Sequence, residues 1–384
     1  MTGSRSGLAG QLTDSDAARR ILWYVVLAAT LGMLVWDNGY RLGTILYGPR
    51  MVNDFQVFYR AAGEADPYQI VTHITRATYR PFVSPPSLLP WIRWLALLPF
   101  NVAWALWSLG GVFFYLLAAK RFVGFPRDVI ALLSVGCFEA LIAGQITLFL
   151  SAALMLACSH MSRRPLFSGI IFGVIATLKP QIVVAVPFAL LASREWRILL
   201  ASVLTGIVVG SSCLLAQGIS FWLKWLAVVQ QFAAWLAKSQ FVSYGLTPTD
   251  IAAMAEFGPR LTSGVFISGV TLGIGTVWHT FRYTENPQLR LGGLVVGYLL
   301  CSRYALVYEM SLVAPLAALW LLDRKAAPYC WIAGGLGIAC STILPTFGQI
   351  GAFAPPMIAI ALILTVRRER LGGNPLPVGE VHAP

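Results

Sequence analysis

An all-α polytopic membrane protein with about twelve transmembrane helices is the fold class this sequence predicts, on three observations. Hydrophobic residues make up 57% of the chain and charged residues 11%, whereas a soluble domain carries about a quarter charged. Mean hydropathy is +0.71. Arginine and lysine gather in short clusters between apolar runs, the distribution that cytoplasmic loops follow. The formal net charge of +12 therefore marks sidedness and not a nucleic-acid partner, and the 384 residues leave little room for a separate soluble domain.

Apolar runs place the spans, in chain order, at 20 to 38, 101 to 119, 127 to 142, 145 to 160, 166 to 179, 182 to 193, 198 to 217, 261 to 281, 291 to 302, 305 to 322, 329 to 347 and 351 to 366. No small-residue cleavage site follows the first run, so it reads as a retained anchor. The clusters Arg19/Arg20, Lys120/Arg121/Arg127, Arg163/Arg164, Arg194/Arg197, Arg282/Arg290, Arg324/Lys325 and Arg367/Arg368/Arg370 then face one side. Both termini are expected in the cytoplasm of a cell bounded by this plasma (inner) membrane. The whole chain, 1 to 384, is one integral membrane domain with a cytoplasmic tail at 367 to 384.

This parity requires that Pro86 to Pro99 not cross. The stretch is short for a span, Ser84-Pro85-Pro86 reads as a helix start, and Trp91 and Trp94 suit an interface. A re-entrant or surface-lying segment there makes 39 to 100 a first outer loop carrying short juxtamembrane helices. In a second outer loop, 218 to 260, Phe221, Trp222, Trp225, Trp235 and Leu236 oppose Lys224, Gln231 and Lys238, which recur every seven residues. That is the pattern of an amphipathic helix lying along the interface. The runs 166 to 179, 182 to 193 and 291 to 302 are shorter than a bilayer requires, and broken helices are tolerated where they line an enclosed or wet cavity. The six cysteines lie in apolar segments without metal-ligand spacing and read as packing residues.

Ionisable groups near the membrane point to function, because a buried charge is costly. Asp54 heads DFQVFYRAAGEADPY in the first outer loop, where a carboxylate could serve as a base. As a residue following Asn53 it could equally be a helix cap, and both readings stand at this point. Asp66-Pro67 is a plain helix start. Arg60, Arg76, Arg80 and Arg93 crowd the same loop against the charge bias and ask for an anionic partner, either membrane lipid headgroups or a substrate phosphate. Lys179 and Arg303 fall at the outer ends of their runs, on the side of Asp54, with Glu139 and Glu309 the acids to explain. Two cations and a carboxylate at one face suit a lipid phosphate plus a base. The competing reading pairs Arg303 with Glu309 and lets Lys179 snorkel.

The segments FQVFYRAA with DPY, YRPFVSPPSLLPWIRWLALLPF, GQITLFLSAALMLA and SGIIFGVIATLKPQIVVAVPFALL, in that order over about residues 20 to 325, resemble glycosyltransferase family 87 of the GT-C superfamily. The resemblance implies a GT-C type membrane hexosyltransferase using a polyprenyl-phosphate sugar, often mannose, on the extracytoplasmic side, with a lipid or glycan acceptor. It makes Asp54 the catalytic base. It associates Ser302-Arg303-Tyr304 and Tyr308-Glu309 with a later polar and aromatic region where the mannosyltransferase branch often carries histidine, absent from this stretch. Ser84-Pro85-Pro86 also replaces the family's usual Tyr-Pro-Pro.

In an inverting transfer the base takes the acceptor proton while the phosphate departs from the opposite face. Arg80, Lys179 and Arg303 are the candidate phosphate ligands, and Tyr59, Arg60, Gln145, Gln181, Tyr308 and Glu309 the candidate substrate contacts. The first loop offers only Asp54, Glu64 and Asp66 as carboxylates, so neither a metal nor another cofactor is expected. A transporter would share the broken helices but commonly shows related halves, and no repeat is evident. A lipid-linked glycan polymerase or ligase would carry arginines in a larger later loop, whereas 218 to 260 holds Lys224, Lys238 and Arg260.

Overall fold

The computed structural model describes residues 54–69, 71–73, 79–236, 245–303, 305–323, 326–339 and 351–372. The expected first span, Arg19/Arg20, residues 39–53 of the first loop, Arg76, Lys238, Tyr304, Arg324/Lys325, residues 340–350 and the tail beyond 372 lie outside the described residues. Arg80 is described by its backbone alone.

Helices make up almost all of the structure. Among the described residues the departure from an all-α fold is one short antiparallel pair in the first loop, β1 (Val71–His73) with β2 (Tyr79–Pro81), in the register Thr72 to Arg80. Before it stands α1 (Asp54–Gly63), whose Phe55, Phe58 and Ala62, spaced three and four residues apart, bury one face. Pro86 to Pro99 is not one continuous helix. It is a run of short turns: 3₁₀ at Pro86–Leu88, α2 (Leu89–Ile92), and 3₁₀ at Arg93–Leu97. Leu88, Leu89, Ile92 and Leu95 are sealed inside while Trp91 and Trp94 stay exposed.

Among the described residues three helices are long and apolar enough to cross a membrane: α3 (Phe100–Phe122), α9 (Trp196–Gln217) and α12 (Pro259–Tyr283). The expected count of twelve is not reproduced there, and several expected spans are built differently. The run 127 to 142 is two helices, α4 (Arg127–Leu132) and α5 (Val135–Ala143), because the Ser134 hydroxyl accepts from the Cys137 N–H at 3.4 Å and starts a new helix. Thr147–His160 (α6) and Pro165–Leu178 (α7) are single short apolar helices. The run 182 to 193 is a 3₁₀ turn at Pro180–Val183 leading into α8 (Val186–Ser193). After α10 (Ile219–Leu236), α11 (Pro248–Met254) and α13 (Pro287–Cys301), the run 305 to 322 is likewise a 3₁₀ turn at Val307–Leu312 followed by α14 (Ala314–Leu322). The described chain closes with α15 (Pro328–Ala339) and α16 (Ala354–Arg370).

Helix direction sorts the charges. On α7 and α9, Gly169 abuts Ile198 and Ala201 and Gly173 abuts Ser202 and Thr205, so these helices run parallel, their starts beside Arg163/Arg164 and Arg194/Arg197. Where α3, α12, α13 and α16 meet, the Gln288 amide donates to the Phe122 carbonyl at 2.8 Å and the Arg290 Nε to the Thr284 carbonyl at 2.9 Å. There too Arg370 lies 4.0 Å over the Tyr283 ring. These ends carry the basic clusters. At the other ends of the same helices, the Gln217 amide donates to the Pro86 carbonyl at 3.2 Å, Ser87 donates to the Thr177 carbonyl, and Leu246 N–H donates to the Ala305 carbonyl at 2.9 Å. The first loop and the 218 to 260 segment thus sit together, at the helix ends opposite the basic clusters named above.

Candidate active site

The site end is built from places where helices stop. Residues Ala143, Gly144 and Gln145 close α5 in a Schellman turn, with Gln145 N–H donating to the Ala140 carbonyl at 2.9 Å and Gly144 N–H to the Leu141 carbonyl at 3.2 Å. Gly144 is left-handed, with φ of +62°, and a Cβ on it would stand 2.5 Å from the Phe55 Cβ. Only glycine satisfies both conditions. Side chains of α3 also reach carbonyls at this helix end: Ser108 adds a second donor to Leu141 at 3.1 Å, Trp104 donates to Ile142 at 3.4 Å and Trp107 to Gly144 at 3.0 Å. With the turn held from both sides, the buried Gln145 side chain donates from Nε2 to Oδ2 of Asp54, the first residue of α1. Asp54 therefore stands in the first turn of α1 and against an amide donor that fixes the orientation of its carboxylate.

A second pair forms where α7 stops. Pro180 lacks an N–H and bars the helical conformation from the residue before it, so Lys179 takes φ −151° and ψ 77° and leaves the helix. Its Nζ pairs with Oε1 of Glu309 in the 3₁₀ turn Val307–Leu312 and lies 5.4 Å from the centroid of the Tyr308 ring. Glu309 is buried, at 3% exposure, and its Oε2 has no hydrogen-bond partner among the described residues. Lys179, not Arg303, is thus the partner of Glu309. Arg303 is exposed and lies 5.3 Å over the Phe266 ring, with its backbone carbonyl accepting from Thr247 Oγ1 at 3.4 Å. The turn carrying Glu309 is seated on α5 and α6: a Cβ on Gly136 would fall 2.6 Å from Ser311 N, and Ser151 Oγ donates to the Ser311 carbonyl at 2.9 Å.

The other sequence candidates are placed less centrally. Tyr59 donates its hydroxyl to the Leu98 carbonyl at 2.7 Å and packs edge-on against Phe100, tying α1 to the start of α3. Arg60 and Gln181 are exposed, and Tyr308 is half-buried beside Lys179. Asp66 caps the turn Pro67–Gln69, accepting from the Tyr68 N–H at 3.2 Å, and its other oxygen takes Lys224 of α10. Burial, together with the nearby Asp66 charge, pushes the Tyr68 phenol far above its ordinary value. Its hydroxyl donates to the Ser84 carbonyl at 2.9 Å and its ring meets Phe221.

Sequence reading missed one clasp. Thr247 and Asp250 form a capping box at the head of α11: Thr247 N–H donates to Asp250 Oδ2 at 3.0 Å and Asp250 N–H to Thr247 Oγ1 at 3.2 Å. Its signal was present as Thr247-Pro248-Thr249-Asp250. The clasp fixes the strand-like pairing of Gly245 with Leu306, which leads into the turn bearing Glu309. Burial raises the Asp250 carboxyl from 3.8 to about 6, against the lowering effect of its Thr247 hydrogen bonds.

Among the described residues no group of three or more His, Cys, Asp or Glu side chains comes together as a metal site. A family model described as Glycosyltransferase family 87 matches residues 82–303, more than half of the chain. The matched stretch includes Gln145, Lys179, Gln181 and Arg303. Asp54, Tyr59, Arg60 and Arg80 precede it, and Tyr308 and Glu309 follow it. No curated protein and no solved structure matches the chain.

Proposed function

This chain belongs to glycosyltransferase family 87, and from that membership we propose that it transfers a hexose, mannose first among the candidates, from a polyprenyl-phosphate donor to a hydroxyl of a lipid or glycan acceptor. That it is a membrane glycosyltransferase follows from the family and its apolar helices. The reading places the reaction on the extracytoplasmic side, with both termini cytoplasmic, because the basic clusters and the site residues occupy opposite ends of the helices.

The observation that carries the mechanism is the Asp54–Gln145 contact. In the proposed step Asp54 takes the proton of the acceptor hydroxyl as that oxygen attacks the anomeric carbon. The carbon–oxygen bond to phosphate breaks with its electron pair passing to the phosphate, and the anomeric configuration inverts. Gln145 orients the carboxylate toward the acceptor. A phosphate leaving group needs cations more than a proton donor, and the reading assigns that task to Lys179 and Arg303, with Arg80 at the loop and no metal ion required. Arg60, Gln181 and Tyr308 are its further substrate contacts, and Tyr59 supports the loop that carries Asp54.

The test is transfer by purified protein in detergent, offered a panel of polyprenyl-phosphate sugars with release of lipid phosphate followed. A general base contributes about 10²- to 10⁴-fold, so Asp54→Asn is expected to lower turnover by that factor with donor binding retained. Near-normal turnover in Asp54→Asn would rule out the base assignment. Failure of the wild-type protein to release lipid phosphate from any donor would rule out the donor class.

A further inference from the structure

We propose that Glu309 reads the donor sugar, its Oε2 accepting a hydrogen bond from the hydroxyl on the carbon next to the anomeric centre, while Lys179 bridges that carboxylate to the donor phosphate. The inference rests on the reading of the donor as a lipid phosphate sugar and adds how the sugar itself is recognised.

The structure leaves one half of this carboxylate unused. Glu309 is buried, its Oε1 takes Lys179, and its Oε2 has no partner among the described residues. A buried carboxylate oxygen without a donor is costly, and such groups in native proteins call for an explanation, a missing ligand among them. Carboxylates accept in several directions at once, and hydroxyl donors are what a sugar offers. Lys179 supplies the link. An ammonium has three donors: one is spent on Glu309, and the group also lies over the Tyr308 ring, so a phosphate oxygen can be added without breaking the ion pair. In a glycosyl phosphate the 2-hydroxyl is the hydroxyl closest to the phosphate. A carboxylate held by the ammonium that holds the phosphate is therefore in register with that hydroxyl and with no more distant one. Contacts to this hydroxyl also strengthen as positive charge grows at the anomeric carbon. The clasp of Gly245 to Leu306 and the seat of Ser311 on Ser151 hold the Glu309 turn rigid, as a residue reading a substrate by geometry requires.

A site built to bond a substrate hydroxyl rejects the analogue lacking it, by up to about 10⁴-fold. The test compares polyprenyl-phosphate mannose with its 2-deoxy counterpart as donors for wild-type protein and for Glu309→Gln and Glu309→Ala, with lipid phosphate binding measured on the same preparations. For wild type, kcat/KM is expected to fall at least about 100-fold on removing the hydroxyl. In Glu309→Ala that ratio is expected to shrink to within a few-fold of one, and in Glu309→Gln to an intermediate value, while lipid phosphate lacking sugar binds all three proteins within a few-fold. The wild-type comparison needs no variant and so stands even if Glu309→Ala folds poorly. Equal use of both donors by wild type, or an unchanged ratio in Glu309→Ala, would overturn the assignment while leaving the donor class intact. Wild-type protein that neither binds lipid phosphate nor uses either donor would overturn the donor class, and this assignment with it.

Discussion

Replacing Gly144 by alanine tests whether the turn at the end of α5 sets the catalytic geometry. The added methyl would sit 2.5 Å from the Phe55 Cβ and 3.0 Å from two carbons of its ring, where ordinary contact begins at 3.4 Å. The short contact is to a Cβ, which a rotamer change cannot move, so α1 and the α5 turn must separate by about 1 Å. Holding a non-glycine residue at φ of +62° adds about 1 kcal/mol, and overpacking typically adds 1–3 kcal/mol, so a loss of about 2–4 kcal/mol of stability is expected. The larger effect is on chemistry. Asp54 opens the helix that must move and Gln145 follows the glycine, so the displacement falls on their contact. A misplacement of about 1 Å at a reacting group costs about 10²-fold in rate. The assay is turnover with a saturating polyprenyl-phosphate donor, with the thermal midpoint in detergent recorded alongside. Gly206→Ala, where an added methyl meets nothing within 4 Å, serves as control. Wild-type turnover in folded Gly144→Ala would show that the Asp54–Gln145 geometry does not govern transfer.

Three further outcomes follow from the same contacts. Gln145→Leu keeps the volume and removes the amide donor to Asp54, so kcat is expected to fall about 10- to 100-fold with donor KM within a few-fold of wild type, by steady-state kinetics. Lys179→Met strands the buried Glu309 carboxylate and is expected to cost about 3–5 kcal/mol of stability. Lys179→Met with Glu309→Gln should recover most of that loss, by thermal unfolding, without recovering donor affinity. Asp250 titrates at about 6 in the folded protein against 3.8 ordinarily, so the folded state holds its proton more tightly. Stability is therefore expected to fall as pH rises from about 4 to 6 and to level off above, by at most about 3 kcal/mol from this residue. Asp250→Asn should flatten that part of the curve, and an unchanged pH profile of the thermal midpoint in the variant would refute the assignment.

The breaks that build the site were legible in the sequence because each has a local cause. Lys179-Pro180 forces a residue out of its helix, Gly144 ends another, and Asp66-Pro67 starts a turn, all within a few residues of chain. Apolar runs also marked where helices lie, but hydropathy carries no mark for a serine cap, and so 127 to 142 read as one span although Ser134 divides it. The strand pair Val71–His73 with Tyr79–Pro81 is too short for alternation to reveal. Partner choice was the least legible. Arg303 lies six residues from Glu309 in the chain and looked like its partner, yet the cation that reaches Glu309 is Lys179, 130 residues earlier. No local rule encodes a meeting of two helix ends brought together by packing.

The ties of the first loop to the end of α9 and to α10 also bear on how the protein is made. Pro86, Asp66 and Val83 of the first loop bind Gln217, Lys224 and Trp225, which follow them by 131, 158 and 142 residues. Translation at about 5–20 residues per second puts roughly 7 to 30 s between synthesis of the first loop and arrival of the helix that fastens it. For that interval the segment bearing Asp54 has emerged without its brace, and Lys224 and Trp225 supply its last fastening. Substitutions in α10 are therefore expected to lower the yield of assembled protein out of proportion to their effect on the finished molecule.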